Sequence, residues 1–469
     1  DRDAGAHRDP DGSGADGDAD DAGPAASDPD SDGEPDDTGR SLPAAADRRL
    51  PALIAPVDHL TPESPTRTDP VAATMSAVVG GPVGDHAAGH RWWNATRVLL
   101  GATGLVLAGG LLSKGACVPS GWSKDGQPFA ELCWTGLAGR SADAGTPPHV
   151  TTWLQRLAEA LPGSGTVAST AALAVGLAAL ALLATALLVR VDERRPWAAA
   201  GWALGPVLLV HWLSWELVAA VGVAVLLWGW TTGRSWLAGI GAGIGAAFAL
   251  PVAAALLGVV AVGGRWRDRV DALLAAAAAY VVVTLPGRAR TQEPDIGSVW
   301  LLLQQAGVDS SRTTRWAVQL AVLALAGVAV ARLVRRAGRP SARTSARAGL
   351  VVLASVLVVV PSAPPELALV LLPLAAIGVR RWRDLLVWQG LHLVSWVITG
   401  WYLGNALVPT VADDARAYWL AVVLRVAGLL WLVGAVLRDA SGDDDAVEVG
   451  RGEADADVDL LPDARDARA

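Results

Sequence analysis

Residues 235–264 read SWLAGIGAGIGAAFALPVAAALLGVVAVGG, an uncharged run broken by a single proline, Pro251. It is too long for one plain membrane span of about 20 residues and too short for two full ones. Its reading sets the direction of every segment that follows. Basic residues cluster at Arg190 with Arg194 and Arg195, at Arg234, at Arg265 with Arg267 and Arg269, from Arg332 to Arg347, and at Arg380 and Arg381 with Arg383. Lys and Arg beside a span resist translocation. All five clusters share one side only if the run crosses twice, turning near Leu250 and Pro251, whereas a single long helix would put the later clusters on the opposite side. The hairpin is therefore the expectation, with short limbs.

Working outward, apolar runs lie near 95–113, 167–190, 196–212, 215–230, 270–286, 315–334, 348–361, 366–379, 385–403 and 417–437. With the hairpin this makes about twelve crossings and places both termini on the basic, cytoplasmic side. The expected fold is all-α: a polytopic integral membrane protein of the cell membrane, with the lipid bilayer as its solvent. A chain that is 52% hydrophobic, with its Ala, Leu, Val and Trp concentrated between Trp92 and Leu437, holds more apolar sequence than one soluble core needs. The net charge of −8 says little about partners, because the acid lies in residues 1–85 and 439–469. Nucleic acid is not among the expected partners.

Three regions follow. Residues 1–90, rich in Asp, Gly, Pro, Ala and Ser, bury too little to offset the entropy of ordering and are expected to be a disordered acidic arm. The only methionine, Met75, stands about twenty residues before the first apolar run, so 1–74 is either a genuine arm or sequence ahead of the translation start. Residues 91–438 form the multi-span domain, with an outer loop at 114–166, and 439–469 form an acidic cytoplasmic tail expected to be disordered. Trp92, Trp93, Trp228, Trp230 and Trp401 fit interfacial anchors.

Cys117 and Cys133, the only cysteines, both fall in that outer loop, where the compartment is oxidising. A disulfide is expected; a metal or redox pair would need further ligands or a CxxC spacing.

The arrangement Cys117 … Trp122 … Cys133-Trp134-Thr135 resembles the actinobacterial membrane proteins of the glycosyltransferase 87 family, similar to polyprenol-phosphomannose-dependent mannosyltransferases of the GT-C class. Further stretches resemble that family in order along the chain: Ser214-Trp215-Glu216-Leu217, the glycine-rich run Gly239 to Pro251, and Asp295-Ile296-Gly297-Ser298-Val299-Trp300. Leu371-Leu372-Pro373-Leu374, the run Arg381 to Gln389 and the run Tyr418 to Gly428 resemble its C-terminal signature. The likeness covers about 95–440. It implies a GT-C-like fold and inverting transfer of a sugar, mannose in the family, from a polyprenyl-phosphate donor to an envelope glycolipid or glycan acceptor on the outer face, without a cofactor. Such transfer needs a carboxylate to take the acceptor proton and a cationic or amide-lined pocket for the departing phosphate. The chain departs from the family at those groups. Gly136 stands where the family has its outer-loop acid, Phe248 where it has a Lys, Leu250 where it has a Tyr, and Pro364-Pro365-Glu366 where it has Ser-Pro-Gln.

The surviving polar groups are the candidates. Glu216 and Glu366 are the candidate catalytic carboxylates, because an acid at the start of a membrane segment is costly unless it serves a site or faces water. Asp295, Ser298, Arg290 and Arg425 are candidate substrate-binding groups; the bland alternatives are a helix cap for Asp295, an ordinary loop charge for Arg290 alongside Arg288, and snorkelling for Arg425. Arg425, about two turns into the last segment, is placed to meet a lipid phosphate or to pair with Glu216. His211 and His392 are lone histidines in apolar runs and read as hydrogen-bonded interior residues. No His, Cys or acidic residues recur at metal-ligand spacing, and the glycines of 239–245 read as close helix packing rather than a phosphate loop. A transporter or lipid flippase would show an internal repeat or ionisable residues at the midplane, neither of which is evident. A non-catalytic partner in an envelope assembly would keep the outer loops and lose the acid.

Overall fold

The computed structural model describes residues 94–119, 126–135, 137, 154, 156–158, 166–193, 195–284, 293–407 and 415–459. Gly136, Trp122, Arg288 and Arg290 lie outside them. The described residues are helical and contain no strand. In chain order the helices are α1 Ala95–Ser113, α2 Gln127–Ala130, α3 Thr166–Val191, α4 Ala200–Ala203, α5 Pro206–His211, α6 Glu216–Thr231, α7 Ser235–Phe248 and α8 Val252–Val260. They continue with α9 Trp266–Thr284, α10 Val299–Gln305, α11 Arg312–Ala337, α12 Ala342–Val359, α13 Ala368–Gly378, α14 Trp382–Leu403 and α15 Arg416–Asp459.

Five of these are long and apolar enough to cross a membrane: Ala95–Cys117, Ala168–Val191, Arg312–Ala337, Ala342–Val359 and Arg416–Ala440. The other apolar runs fold into shorter or more polar helices. The run 196–212, expected as one segment, is a 3₁₀ turn at Pro196–Ala199 followed by α4 and α5. Gly205 before Pro206 is extended, as a residue before proline prefers, and that breaks the helix. The run 348–361 begins six residues earlier than expected, at Ala342, and takes Arg347 into the interior, where its Nε donates to Gly378 O at 3.1 Å. Helix α15 carries on into the acidic tail that composition reads as disordered; a nucleus is already formed in its apolar half, and extension then costs little per residue.

Residues 235–264 are two helices, α7 and α8, separated by extended Ala249 and by Pro251 at the cap of α8. The chain turns back on itself here. Trp230, at the end of α6 next to the start of α7, donates its indole N–H to Val262 O beyond the end of α8 at 2.9 Å. Val191, Trp230, Ser235, Val262, Asp268 and Ala342 also line one cavity, so the ends of α3, α6 and α8 and the starts of α7, α9 and α12 share one end of the bundle. Arg347 ties the end of α13 to it, and the Arg438–Asp384 ion pair, 2.7 Å, joins α14 to α15. This is the arginine end. The opposite end carries Lys114, the Cys117–Cys133 bridge and the tips of α5 and α14, and is called the loop end.

Glycines set the spacing of the centre. A Cβ on Gly239 would stand 2.2 Å from Ala272 O and one on Gly243 2.3 Å from Ala276 O, so one face of α7 lies directly on the backbone of α9. Gly241 meets Gly222 O on α6 at 2.7 Å in the same way. Small residues at four-residue spacing permit this approach. A polar staple joins three other helices: Trp202 Nε1 donates to Thr185 Oγ1 at 3.0 Å, and Thr185 and Thr103 share a hydrogen bond of 2.9 Å. Gly243→Val should cost more than the ~1–3 kcal/mol typical of overpacking a flexible site, because backbone cannot move aside. Thermal unfolding in detergent checks it: the midpoint falls for Gly243→Val and stays put for Gly176→Ala, where a Cβ meets open space.

Candidate functional site

Two polar constellations occupy the loop end. The first is built on Lys114, which caps α1 and is buried. Its ammonium donates to Trp134 O at 3.0 Å and Leu132 O at 3.3 Å, and sits 5.4 Å from the centre of the Trp396 ring. The disulfide, with Cα atoms 6.0 Å apart, brings Leu132 and Trp134 back over the end of α1. Trp134 then donates its indole N–H to Glu366 Oε1 at 2.9 Å. Glu366, buried in the 3₁₀ turn Pro365–Leu367, lies near enough to Lys114 to act on it electrostatically. Beneath them His211 and His392 share a hydrogen bond between their Nε2 atoms, 2.9 Å, and the His211 ring stands edge-on to Trp396.

The loop docks on α14 through two glycines. A Cβ on Gly400 would fall 2.4 Å from the Trp134 ring, and one on Gly404 2.6 Å from Ala130 N. Stacking of Phe129, Trp134 and Trp396, centroids 5.4 and 5.1 Å apart, completes the seam.

The second constellation is centred on Arg425 of α15. The stretches 295–297 and 361–363 run side by side, Asp295 N donating to Pro361 O at 2.9 Å and Ala363 N to Ile296 O at 3.1 Å. Arg425 closes the pair by donating to Gly297 O, to Ala363 O at 2.7 Å and to Leu357 O at 3.3 Å. Gly297 has φ 80°, and a Cβ there would strike Ala363 O, so glycine is required. Its N–H donates to the Tyr418 hydroxyl at 2.9 Å. Asp295 accepts from Ile296 N at 2.7 Å and from Ser362 Oγ at 2.9 Å.

The structure thus places the candidates unequally. Glu366 is held by Trp134, the residue whose carbonyl anchors the buried Lys114 ammonium. Arg425 meets backbone carbonyls where pairing with Glu216 was one expectation. The helix cap beside Asp295 is Ser298, buried and accepting from Leu301 N at 3.0 Å, so Asp295 serves the turn before it. Glu216 is buried at the first position of α6, where a negative charge favours the helix dipole, behind a Trp215–Phe248 contact with centroids 6.2 Å apart. Turn 361–366 belongs to both constellations and is what joins them. Among the described residues the one group at metal-ligand spacing is Cys117, Glu131 and Cys133, and its two sulfurs are joined in the disulfide. Lys114 escaped the sequence reading, although a lone Lys at the outer end of an apolar run, against the positive-inside trend, is a signal. The pairing of His211 with His392 had none, because the two are 181 positions apart.

Comparison with known proteins adds no relative: no family model matches the chain, and no curated protein or solved structure matches it.

Two variants probe the constellations. Reducing the Cys117–Cys133 bridge, or replacing both cysteines by Ser, removes a sixteen-position cross-link, worth about 3 kcal/mol for such a loop. The unfolding midpoint is expected to fall, and to fall less once dithiothreitol is present for both forms. Arg425→Leu leaves three carbonyls short of a donor at about 1–3 kcal/mol each. Its signature is raised hydrogen exchange confined to 295–298 and 357–363.

Proposed function

We propose that the chain is a multi-pass protein of the cell membrane, with about twelve crossings and both termini cytoplasmic, that transfers a sugar from a polyprenyl-phosphate donor at its outer face, as the glycosyltransferase 87 resemblance implies. Support for the membrane comes from the surface. Leu105, Val175, Leu274, Val282, Leu325 and Val423 are exposed on five different helices, an apolar girdle that water would penalise. The arginine end gathers Arg190, Arg234, Arg265, Arg269, Arg335 and Arg381, as a cytoplasmic face does, with Arg312, Arg315 and Arg416 as exceptions at the loop end.

The single observation that carries the transfer reading is the buried Lys114–Trp134–Glu366 contact under the disulfide-tied loop. A carboxylate and an ammonium joined through Trp134 are the two kinds of group the reaction needs. The acceptor hydroxyl oxygen attacks the anomeric carbon, its proton passes to the carboxylate, and the bond from sugar to phosphate breaks with the electron pair leaving on the lipid phosphate beside the cation. Glu366 is the favoured base, with Glu216 the alternative. The acceptor is an envelope glycolipid or glycan, and mannose is the expected sugar. A second reading, a non-catalytic partner in an envelope assembly, is favoured by one fact: the polar atoms of Arg425, Asp295 and Ser298 are engaged within the chain itself.

The test is transfer of labelled mannose from polyprenyl phosphate to envelope glycolipids by the purified full chain. Glu366→Gln is expected to lower the rate about 10²–10⁴-fold, the range for loss of a general base. Loss in Glu216→Gln alone would move the base to α6. Absence of transfer by a folded wild-type chain would point to the non-catalytic reading.

A further inference from the structure

The arginine end holds a cavity of about 450 Å³ that the outer-face chemistry does not use. Helices α7, α9 and α12 all begin at its wall, so the positive ends of three helix dipoles converge on it. The start of α9 is capped by its own Asp268, which accepts from Arg265 N at 2.8 Å, and that of α12 by Ser341, which accepts from Thr344 N at 3.1 Å. No side chain caps α7.

Convergence of helix ends alone does not make a site. The independent observation is two hydroxyls. Ser235 and Ser345 line the cavity at 9% and 3% exposure, and neither side chain has a hydrogen-bond partner among the described residues. Buried hydroxyls are ordinarily bonded, either to the preceding turn or across an interface. These two are instead left facing a hollow that admits a ligand. Arg269 braces the wall by donating from Nη2 to Gly263 O at 3.1 Å, and Arg234, Arg265 and Arg339 each adjoin a lining residue in the sequence. Asp268, the one carboxylate in the wall, is occupied by its cap. Hydroxyls free to donate, at a place where three helix starts turn their positive ends inward, favour an oxyanion of tetrahedral reach.

The source of that oxyanion is indicated by what lies next to it. A second hollow of about 480 Å³, lined by Leu257, Ala261, Leu323, Val330, Val334 and Val352, runs between α8, α11 and α12. Ala261 lines it and Val262 lines the first, so the apolar hollow and the polar one lie one residue apart at the end of α8. An acyl chain fits the former and a phosphate the latter.

We propose that the cavity bounded by Ser235, Ser341 and Ser345 binds the phosphate of an anionic phospholipid of the cytoplasmic leaflet, with an acyl chain in the α8–α11–α12 hollow. The site is separate from the outer constellation and rests on the multi-pass membrane reading, not on sugar transfer. Its occupant bridges the first turns of α7, α9 and α12 and so stiffens the hairpin that inverts the chain at Pro251.

The experiment is native mass spectrometry of the purified full chain in detergent, titrated with phosphatidylglycerol and with an uncharged galactosyl diacylglycerol. Phosphatidylglycerol is expected to bind saturably and at least about tenfold more tightly than the galactolipid, and the Ser235→Ala/Ser345→Ala double variant to lose about tenfold or more of that preference. Removing two unpartnered hydroxyls leaves the fold intact, which the unfolding midpoint without added lipid verifies. Ser345→Leu, which fills the cavity, is expected to abolish the preference. Equal binding of the two lipids, or a preference unchanged in the double variant, overturns the proposal. So does inorganic phosphate at millimolar concentration protecting the chain as well as the lipid does, an outcome that would make the site one for a soluble anion. Release of the native chain from membranes by an alkaline carbonate wash would instead defeat the membrane reading, and is scored separately.

Discussion

A backbone carbonyl or amide stranded at the end of a helix costs several kcal/mol where water is excluded, and this bundle is full of short helices. The architecture depends on side chains from distant elements meeting those groups. Gln389 of α14 accepts the N–H of Val207 at the break before α5, at 3.2 Å. Trp230 supplies Val262 O, Trp300 supplies Val359 O at 2.7 Å, Arg347 supplies Gly378 O, Arg425 supplies three carbonyls, and Lys114 supplies two. In each case a polar group that would be expensive in an apolar setting offsets another that would be equally so. Broken helices are thereby tolerated at the loop end, around turn 361–366, and that tolerance is what makes a polar site possible there.

The same economy explains why polar residues at this end differ in what remains for a substrate. Arg425 has donors committed to holding 295–297 against 361–363, and it is better described as the clamp that shapes the loop end than as a phosphate ligand. Lys114 is also anchored to carbonyls, yet it keeps Glu366 within electrostatic reach, and Trp134 fixes the orientation of that carboxylate. The disulfide acts through this chain of contacts, since it sets where Trp134 stands. His211 and His392, stacked below, give the cluster a polar floor in the middle of otherwise apolar helices.

The two ends of the molecule are built on different principles. The loop end is assembled from breaks, a bridge and aromatic stacking. The arginine end is assembled from helix starts and glycine turns: Gly233, Gly263 and Gly264 all have positive φ there, and Gly264 could not carry a Cβ without displacing the Trp230 ring. Close packing of α7 on α6 and α9 connects them, so a ligand at either end acts on the same central helices.

Composition and the spacing of charged residues were enough to determine the helical class and the place where the chain doubles back, at Leu250–Pro251, because both are local: a proline disfavours helix in the residue before it, and arginines mark the segment ends where they occur. The cysteine pair was legible for a similar reason, being alone in one loop, and the glycines of α7 because their four-residue spacing puts them on one face. Only the tertiary structure decided which polar residues meet. Trp134 finds Glu366 across 232 positions and Arg425 finds Gly297 across 128, through the way α1, α14 and α15 pack. The breaks within 196–212 and the burial of Arg347 were hidden likewise, since a run of apolar residues looks the same whether its backbone is completed by its own next turn or by a side chain from another helix.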